Sequence, residues 1–409
     1  MLRSTFRQIL SLGLCLLITG AIVPASTTPA GAQSAKFQRF LGDMRKRAIR
    51  RGISRKVVDQ AFRGLKPNPK VWELARYQPE FRLPVWAYLD KTVSDRRIID
   101  GRAAHSKYTE RLKQIEARYG VPSHYLVAVW GMETNYGQKK GDYHVIQSLA
   151  TLGYRGRRKF GRQQLMAALK ILQRGDIPLN QFYGSWAGAM GHTQFIPTTY
   201  NAYAVDWTRD GSRDIWNSIS DALASTGNYL RVSGWKKGET WGHEVIVPSK
   251  LSRRLAGIKK RKPRRTSEWV RLGVKPAKGG KLKNLKRRAW LIMPSGRKGP
   301  AFLVYRNFRA IMRYNNAVSY ALGVAHLGDR IAGRPDFIRK WPRTGTPLAE
   351  VGRLRLQKEL TRLGLYSGPI TGRIGRKTEA AIRKYQRSKG IKIDSYPSEE
   401  LLKRILSGV

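Results

Sequence analysis

The sequence predicts a mainly α-helical protein with a small β-rich insertion and a separate three-helix unit at its C-terminal end. Apolar residues recur at helical spacing, as in Phe40, Met44 and Ala48, then Val57, Val58 and Phe62, with Arg and Lys between them. The short runs Glu244-Val245-Ile246-Val247 and Ala289-Trp290-Leu291-Ile292-Met293 read as strands of an insertion at about 244–300. Beyond the breaker Pro342-Arg343-Thr344-Gly345-Thr346-Pro347, three amphipathic stretches follow, around Leu356, Ile382 and Leu402. The expected division is therefore 33–341 for the main body, 342–348 for a linker and 349–409 for the tail.

The first 32 residues predict export. Arg3 and Arg7 precede an apolar run from Ile9 to Val23, and Ala30-Gly31-Ala32 offers a small-x-small cleavage site before Gln33. The run is short for a membrane span. Cys15, the only cysteine, lies inside it behind Leu14, so no lipid-attachment box is seen. Removal of this signal peptide leaves a chain with neither a disulfide nor a thiolate metal site. The expected location is the periplasm.

From Phe37 to about Gly120 the pattern is helical and cationic, broken at Gln78-Pro79-Glu80-Phe81. Pro122 then opens a helix expected to close near Gly137. Leu126, Val129 and Glu133 share one face of it, at i, i+3 and i+7. A carboxyl on an apolar face, at the negative end of a helix dipole, holds its proton to higher pH, which suits a general acid. A Glu capping a salt bridge at the helix end fits the same pattern.

The stretch Gly184 to Pro197 is too rich in glycine for a plain helix and reads as a tight turn. It suits either a ligand loop or a loop packed between helices. Asp206, Thr208, Asp210, Ser212 and Asp214 then place oxygens at positions 1, 3, 5, 7 and 9 of a loop with Gly211 at position 6. That is the pattern of an EF-hand calcium loop. Position 12 is Asn217 rather than a bidentate Glu, and Asp221 is the nearest carboxylate that could replace it. The expectation is a weak structural Ca2+ or Na+ site, with an Asp-rich turn as the other reading.

The formal charge is +52, and between Lys250 and Lys298 there are 19 Lys or Arg against one acid, Glu268. Such a balance calls for a polyanionic partner. Export argues against nucleic acid and for an anionic cell-wall polymer or membrane surface.

Several motifs then fall into one order: Trp130-Gly131-Met132-Glu133-Thr134, Ser185-Trp186-Ala187-Gly188-Ala189-Met190-Gly191, Gln194-Phe195, Asp210-Gly211 and Asp214-Ile215-Trp216-Asn217. Together, over roughly 37–340, they resemble lytic murein transglycosylase B, glycoside hydrolase family 103. The tail resembles the small three-helix peptidoglycan-binding domain, through Leu356-Gln357, Gly364-Leu365-Tyr366, Gly375-Arg376-Lys377-Thr378 and Ala381-Ile382-Arg383-Lys384-Tyr385-Gln386. Thr371 stands where that family usually has Asp, and Ser395 where it usually has Gly.

The resemblance implies a lysozyme-like catalytic domain in which Glu133 is the single acid/base. It implies peptidoglycan as substrate, and cleavage of the MurNAc–GlcNAc bond to a 1,6-anhydro end without a cofactor. By motif position, Ser185 and Gln194 would hydrogen-bond sugar, and Tyr229, Tyr314, Asn315 and Tyr320 would line the cleft. Arg157 and Arg158 match an Arg pair that meets the acidic peptide or lactyl group. Asp206, Thr208, Asp210, Ser212 and Asp221 match the family's cation loop. A monomer is expected, with glycan strands as its partner and an anionic envelope surface or other cell-wall enzymes as further ones. A lysozyme-like hydrolase and a non-catalytic wall-binding protein are the competing readings.

Overall fold

The computed structural model describes residues 30–76, 84–259, 261–343, 345–346 and 348–408. The apolar run of the expected signal peptide and the break at Gln78-Pro79-Glu80-Phe81 lie outside the described residues.

The body is built around the helix Ser123–Thr134, in which every residue from Tyr125 to Gly131 is buried. A helix that is apolar on all sides has to be enclosed. Its neighbours are the helices Asp95–Lys107, Thr109–Tyr119, Ile219–Val232 and Val318–Ile331. Beside this group the helices Val145–Tyr154 and Arg158–Arg174 form a tight hairpin. Glycine makes that approach possible: a Cβ on Gly161 would lie 2.2 Å from the backbone nitrogen of Gly153. No helix among the described residues is long and apolar enough to cross a membrane.

The insertion is a five-stranded antiparallel sheet in the order Arg264–Arg265, Arg288–Ile292, Ala301–Val304, Gly242–Ile246, Lys275–Pro276. Side chains alternate across it. Trp290, Ile292, Phe302 and Val304 join the core of the body, while Ala289, Leu291, Ala301 and Leu303 form a second core with Trp269 and Val274. Of the two runs that read as strands in the sequence, 289–293 faces both cores; in 244–247 Val245 and Val247 meet only the second core and Ile246 is exposed, while Ala301–Val304, which also faces both cores, is not among the expected strands.

The tail packs the helices Glu350–Arg362, Arg376–Ser388 and Glu399–Ser407 around Leu356, Leu360, Ile382, Tyr385 and Leu402. Gln357 is fully buried and ties its loops together. Its carbonyl accepts from the N–H groups of Thr371 and Gly372, and its amide donates to the Arg373 carbonyl and the Thr378 hydroxyl. Ser395 takes φ of 60°, the left-handed region that favours glycine, and its N–H donates to Gln386 Oε1 at 2.9 Å.

Tail and body touch. The Tyr396 and Trp86 rings meet edge to face at 4.1 Å, Arg343 pairs with Asp90 at 2.6 Å, and Lys91 with Glu379 at 3.2 Å. The stretch between them is held as well, since Thr346 donates its N–H to Glu400 and Leu348 is buried in the tail core.

Candidate active site

Glu133 is the penultimate residue of its helix, which ends at Thr134, three residues before Gly137. The stop is made by Asn135, Tyr136 and Gly137, which all take positive φ of 52°, 58° and 88°. Left-handed conformation costs a non-glycine residue about 1–2 kcal/mol, so something must hold it. Asn135 Oδ1 accepts from Arg97, and the Tyr136 hydroxyl donates to the Arg97 carbonyl at 2.7 Å. The Tyr136 ring lies against Gly131, where an added Cβ would come within 2.6 Å of Cζ. That contact is why Gly131 stands two residues before Glu133.

The helix end is pinned to the glycine-rich turn. Thr134 Oγ1 donates to the His192 carbonyl at 2.7 Å, and Trp130 Nε1 donates to His192 Nδ1 at 3.0 Å. Burial, with Lys140 nearby, pushes the His192 imidazole down to about 4, so it is neutral at pH 7 and Nδ1 can accept. Gly191 is the close-approach residue of this turn: at φ 67°, its Cβ would fall 2.4 Å from the Ile215 carbonyl oxygen.

Around Glu133 the fold gathers phenols. Glu133 is half-buried, and its Oε1 accepts from the Tyr320 hydroxyl at 2.5 Å. The Tyr314 ring lies parallel to Tyr320 at 6.4 Å, and its hydroxyl donates to the Thr193 carbonyl at 2.7 Å. Tyr229 meets Tyr314 edge-on at 5.0 Å and donates to the Arg313 carbonyl at 2.5 Å. Burial pushes the hydroxyls of Tyr314 and Tyr320 well above the usual phenol range, and the Glu133 charge adds to it. Both therefore remain protonated donors. Tyr229 and Tyr320 are nearly closed off from solvent, which makes them walls and props more than open stacking faces.

Of the other expected sugar ligands, Asn315 is exposed at the end of the helix Arg306–Tyr314. Ser185 is half-buried, and its hydroxyl accepts from the Ala189 N–H at 3.0 Å. Gln194 is held at φ 53° with its amide donating to the Lys140 and Gly191 carbonyls, both at 3.0 Å, which fixes the orientation of its side chain. Arg157 and Arg158 stand on the exposed turn of the hairpin rather than among the tyrosines, Arg157 over the Phe160 ring at 4.5 Å. Sequence reasoning missed Trp130, Thr134 and His192 as a unit; the signal was a Trp and a Thr one helical turn apart.

The loop after Asp206 closes on itself. Asp206 accepts the N–H groups of Arg209, Asp210 and Gly211, and Asp221, fully buried, accepts those of Trp207, Thr208 and Asp214. Burial pushes the Asp221 carboxyl up, opposed by these N–H groups. The Thr208 hydroxyl lies 2.9 Å from Asp210 and 3.4 Å from both Asp206 and Asp221. One hydroxyl proton thus faces three carboxylates, a surplus of hard oxygen that fits a cation in kind. Asp214 instead caps the next turn, accepting from Trp216 and Asn217, and the Ser212 hydroxyl donates to the Asp176 carbonyl. Among the described residues no ready-made cluster of three or more metal-ligating side chains is present.

These elements match known proteins. The family model for the transglycosylase SLT domain covers residues 36–329, and one for a peptidoglycan-binding domain covers 351–405. The chain belongs to the SLT transglycosylase family. The crystal structure of SltB3 from Pseudomonas aeruginosa in complex with NAG-anhNAM-pentapeptide is 45% identical, with a TM-score of 0.73, over 90% of this chain and 99% of that one. The Escherichia coli lytic transglycosylase Slt35 in complex with calcium is 27% identical, with a TM-score of 0.62, over 74% of this chain and 94% of that one. The membrane-bound lytic murein transglycosylase B of Escherichia coli K12 is 30% identical over 248 residues, 60% of this chain; the match spans 66% of that protein, just under two thirds of its length. The SLT match runs through the Glu133 helix, the glycine-rich turn and the tyrosines, and ends before the tail begins.

Proposed function

We propose that this chain is an exported lytic transglycosylase of the cell envelope. It cleaves the β-1,4 bond between N-acetylmuramic acid and N-acetylglucosamine and leaves a 1,6-anhydromuramoyl end. The observation that carries the reading is Glu133: a half-buried carboxyl at a helix end, oriented by the hydroxyl of a tyrosine that stays protonated.

In this mechanism the Glu133 carboxylic acid gives its proton to the bridging oxygen as the bond to C1 breaks, and the leaving sugar departs as an alcohol. The substrate's N-acetyl group steadies the charge that develops at C1. Glu133, now a carboxylate, takes the proton of the muramic 6-hydroxyl while that oxygen bonds to C1. The enzyme returns to its starting state and no water is consumed. The side chains grouped with Glu133 are Tyr320, Tyr314, Tyr229 and Phe195. Phenols suit this scheme, whereas an ordinary retaining or inverting hydrolase needs a second carboxylate across the bond.

Gln194, Ser185 and Asn315 hold sugar hydroxyl and acetamido groups, and Arg157 and Arg158 meet acidic groups at the rim. Residues 33–341 form the catalytic region and 349–409 bind the wall, which raises the local concentration of substrate. The loop of Asp206, Thr208, Asp210, Ser212 and Asp221 takes Ca2+ or Na+ weakly, a structural role apart from the chemistry.

Mass spectrometry of fragments released from purified peptidoglycan tests the reading. Anhydromuramoyl ends are expected from the wild type, and about 10²–10⁴-fold fewer per unit time from Glu133→Gln. Reducing ends would replace the intramolecular attack by water. Release by Glu133→Gln at the wild-type rate would remove Glu133 from the mechanism.

A further inference from the structure

One face of the helix Arg306–Tyr314 carries Arg306, Arg309 and Arg313 at i, i+3 and i+7, all exposed. They span about 10 Å along the axis at 1.5 Å per residue. Opposite them, Arg287 and Arg288 lead into the strand Arg288–Ile292. Between the two elements lies a hollow of about 670 Å³ lined by these five arginines. A second hollow of about 220 Å³ adjoins it and shares Arg309 and Arg313.

Glu239 is the one acid in that lining, 3.7 Å from Arg287. Arg306, Arg309 and Arg313 form no salt bridge among the described residues. A solvated helix face would let long cations splay apart. Here Arg309 lies over the Trp290 ring at 5.2 Å and Arg287 over the Tyr305 ring at 5.2 Å, which fixes two guanidiniums against flat walls. Like charges held in a concavity raise its positive potential and draw in anions. Guanidinium forks suit planar carboxylates, which they bind through two parallel hydrogen bonds.

The helix also leads back to Glu133. Tyr229 donates to the Arg313 carbonyl, and Tyr314, the next residue, stacks beside Tyr320. In the proposed substrate the glycan backbone is uncharged once the lactyl carboxyl is amide-linked, so its negative charge lies in the carboxylates of the peptide stems. We infer that the groove between Arg306, Arg309, Arg313 and Arg287, Arg288 is a stem-peptide subsite that takes those carboxylates from a strand engaged at Glu133. The inference rests on the proposed activity.

The test pairs two substrates, stem-bearing glycan strands and strands whose stems an amidase has removed and whose freed lactyl carboxyls have been capped as methylamides, with wild type and Arg306→Gln/Arg309→Gln. On stem-bearing strands the double variant is expected to raise KM roughly tenfold to hundredfold with kcat kept. On stripped strands both proteins should perform alike. Equal loss on both substrates, or no loss on either, would overturn the subsite. Full recovery of KM by Arg306→Lys/Arg309→Lys would also overturn it, in favour of a diffuse field. Titration of free tetrapeptide stems into the full mature chain, followed by NMR, reads the groove without turnover. Binding by wild type and not by the variant supports the subsite even if no anhydro ends form, a result that would sink only the proposed activity. Tripolyphosphate binding in place of the stem would assign the groove to phosphate instead.

Discussion

Glu133 and Asp221 are both carboxylates on well-packed helices, and the fold treats them oppositely. Asp221 is sealed and accepts three backbone N–H groups, so its oxygens define the path of the loop around it. Glu133 is half-open and is oriented by a side-chain hydroxyl from another helix. A carboxylate bonded to backbone cannot trade protons without unmaking its loop. One bonded to a phenol at the edge of a cleft can. On the proposed mechanism, the difference separates a structural acid from a chemical one even though both sit in family motifs.

Exchanging the two consequences is the sharpest way to break this contrast. Glu133→Gln should lower turnover by about 10²–10⁴-fold, the usual contribution of a general acid, and leave the urea midpoint in place. Asp221→Ala should do the reverse: it strands three N–H groups and costs about 3 kcal/mol in urea unfolding, while per-molecule activity of the folded fraction stays near wild type. Loss of stability in the first variant, or of activity alone in the second, would erase the distinction.

Tyr320→Phe sharpens it further. It removes the hydroxyl that orients Glu133 and should cut kcat about tenfold to hundredfold, with KM and melting temperature little changed. Acid tests the pin between helix and turn. The folded His192 pKa is depressed to about 4 from 6.5, so the folded state resists protonation that the unfolded chain accepts. The stability this gives is fully present above pH 6.5 and is lost as pH falls toward 4. His124, also pushed to about 4 by burial, adds in the same direction. Melting temperature across that window should fall more for wild type than for His192→Gln. The smallest effect belongs to the cation loop. Millimolar Ca2+ should raise the melting temperature by about 1–2 °C, as a weak site does, and Asp210→Ala should abolish the rise.

How much of this was legible follows from the range of each interaction. The Glu133 helix and the run at 289–293 are local apolar stretches that the chain displays directly, whereas Tyr229, Tyr314 and Tyr320 are placed only by the family resemblance. The position of the helix stop was misread by three residues because the left-handed run at Asn135 and Tyr136 depends on Arg97, far away in sequence. Asp221 is read from the sequence as the nearest carboxylate able to complete the cation loop; that its oxygens also accept three backbone N–H groups is what spacing along the chain does not show. The arginine groove was visible only as excess charge. Its halves come from a helix and a strand that close up in the fold, and spacing along the chain does not reveal that the charges converge.

The hairpin beside the core has a consequence for inheritance. At Gly161 the two helices approach so closely that the smallest added side chain would strike backbone rather than a yielding side chain. On the proposed mechanism, substitutions there are expected to be as damaging as changes at the acid itself, though no chemistry occurs at that spot. In a saturation scan read by release of anhydromuramoyl fragments, Gly161 and Glu133 are expected to score alike. Assaying soluble protein beside that readout parts them, since Glu133→Gln is expected to accumulate folded and inert while Gly161→Ala is expected to be lost from the soluble fraction.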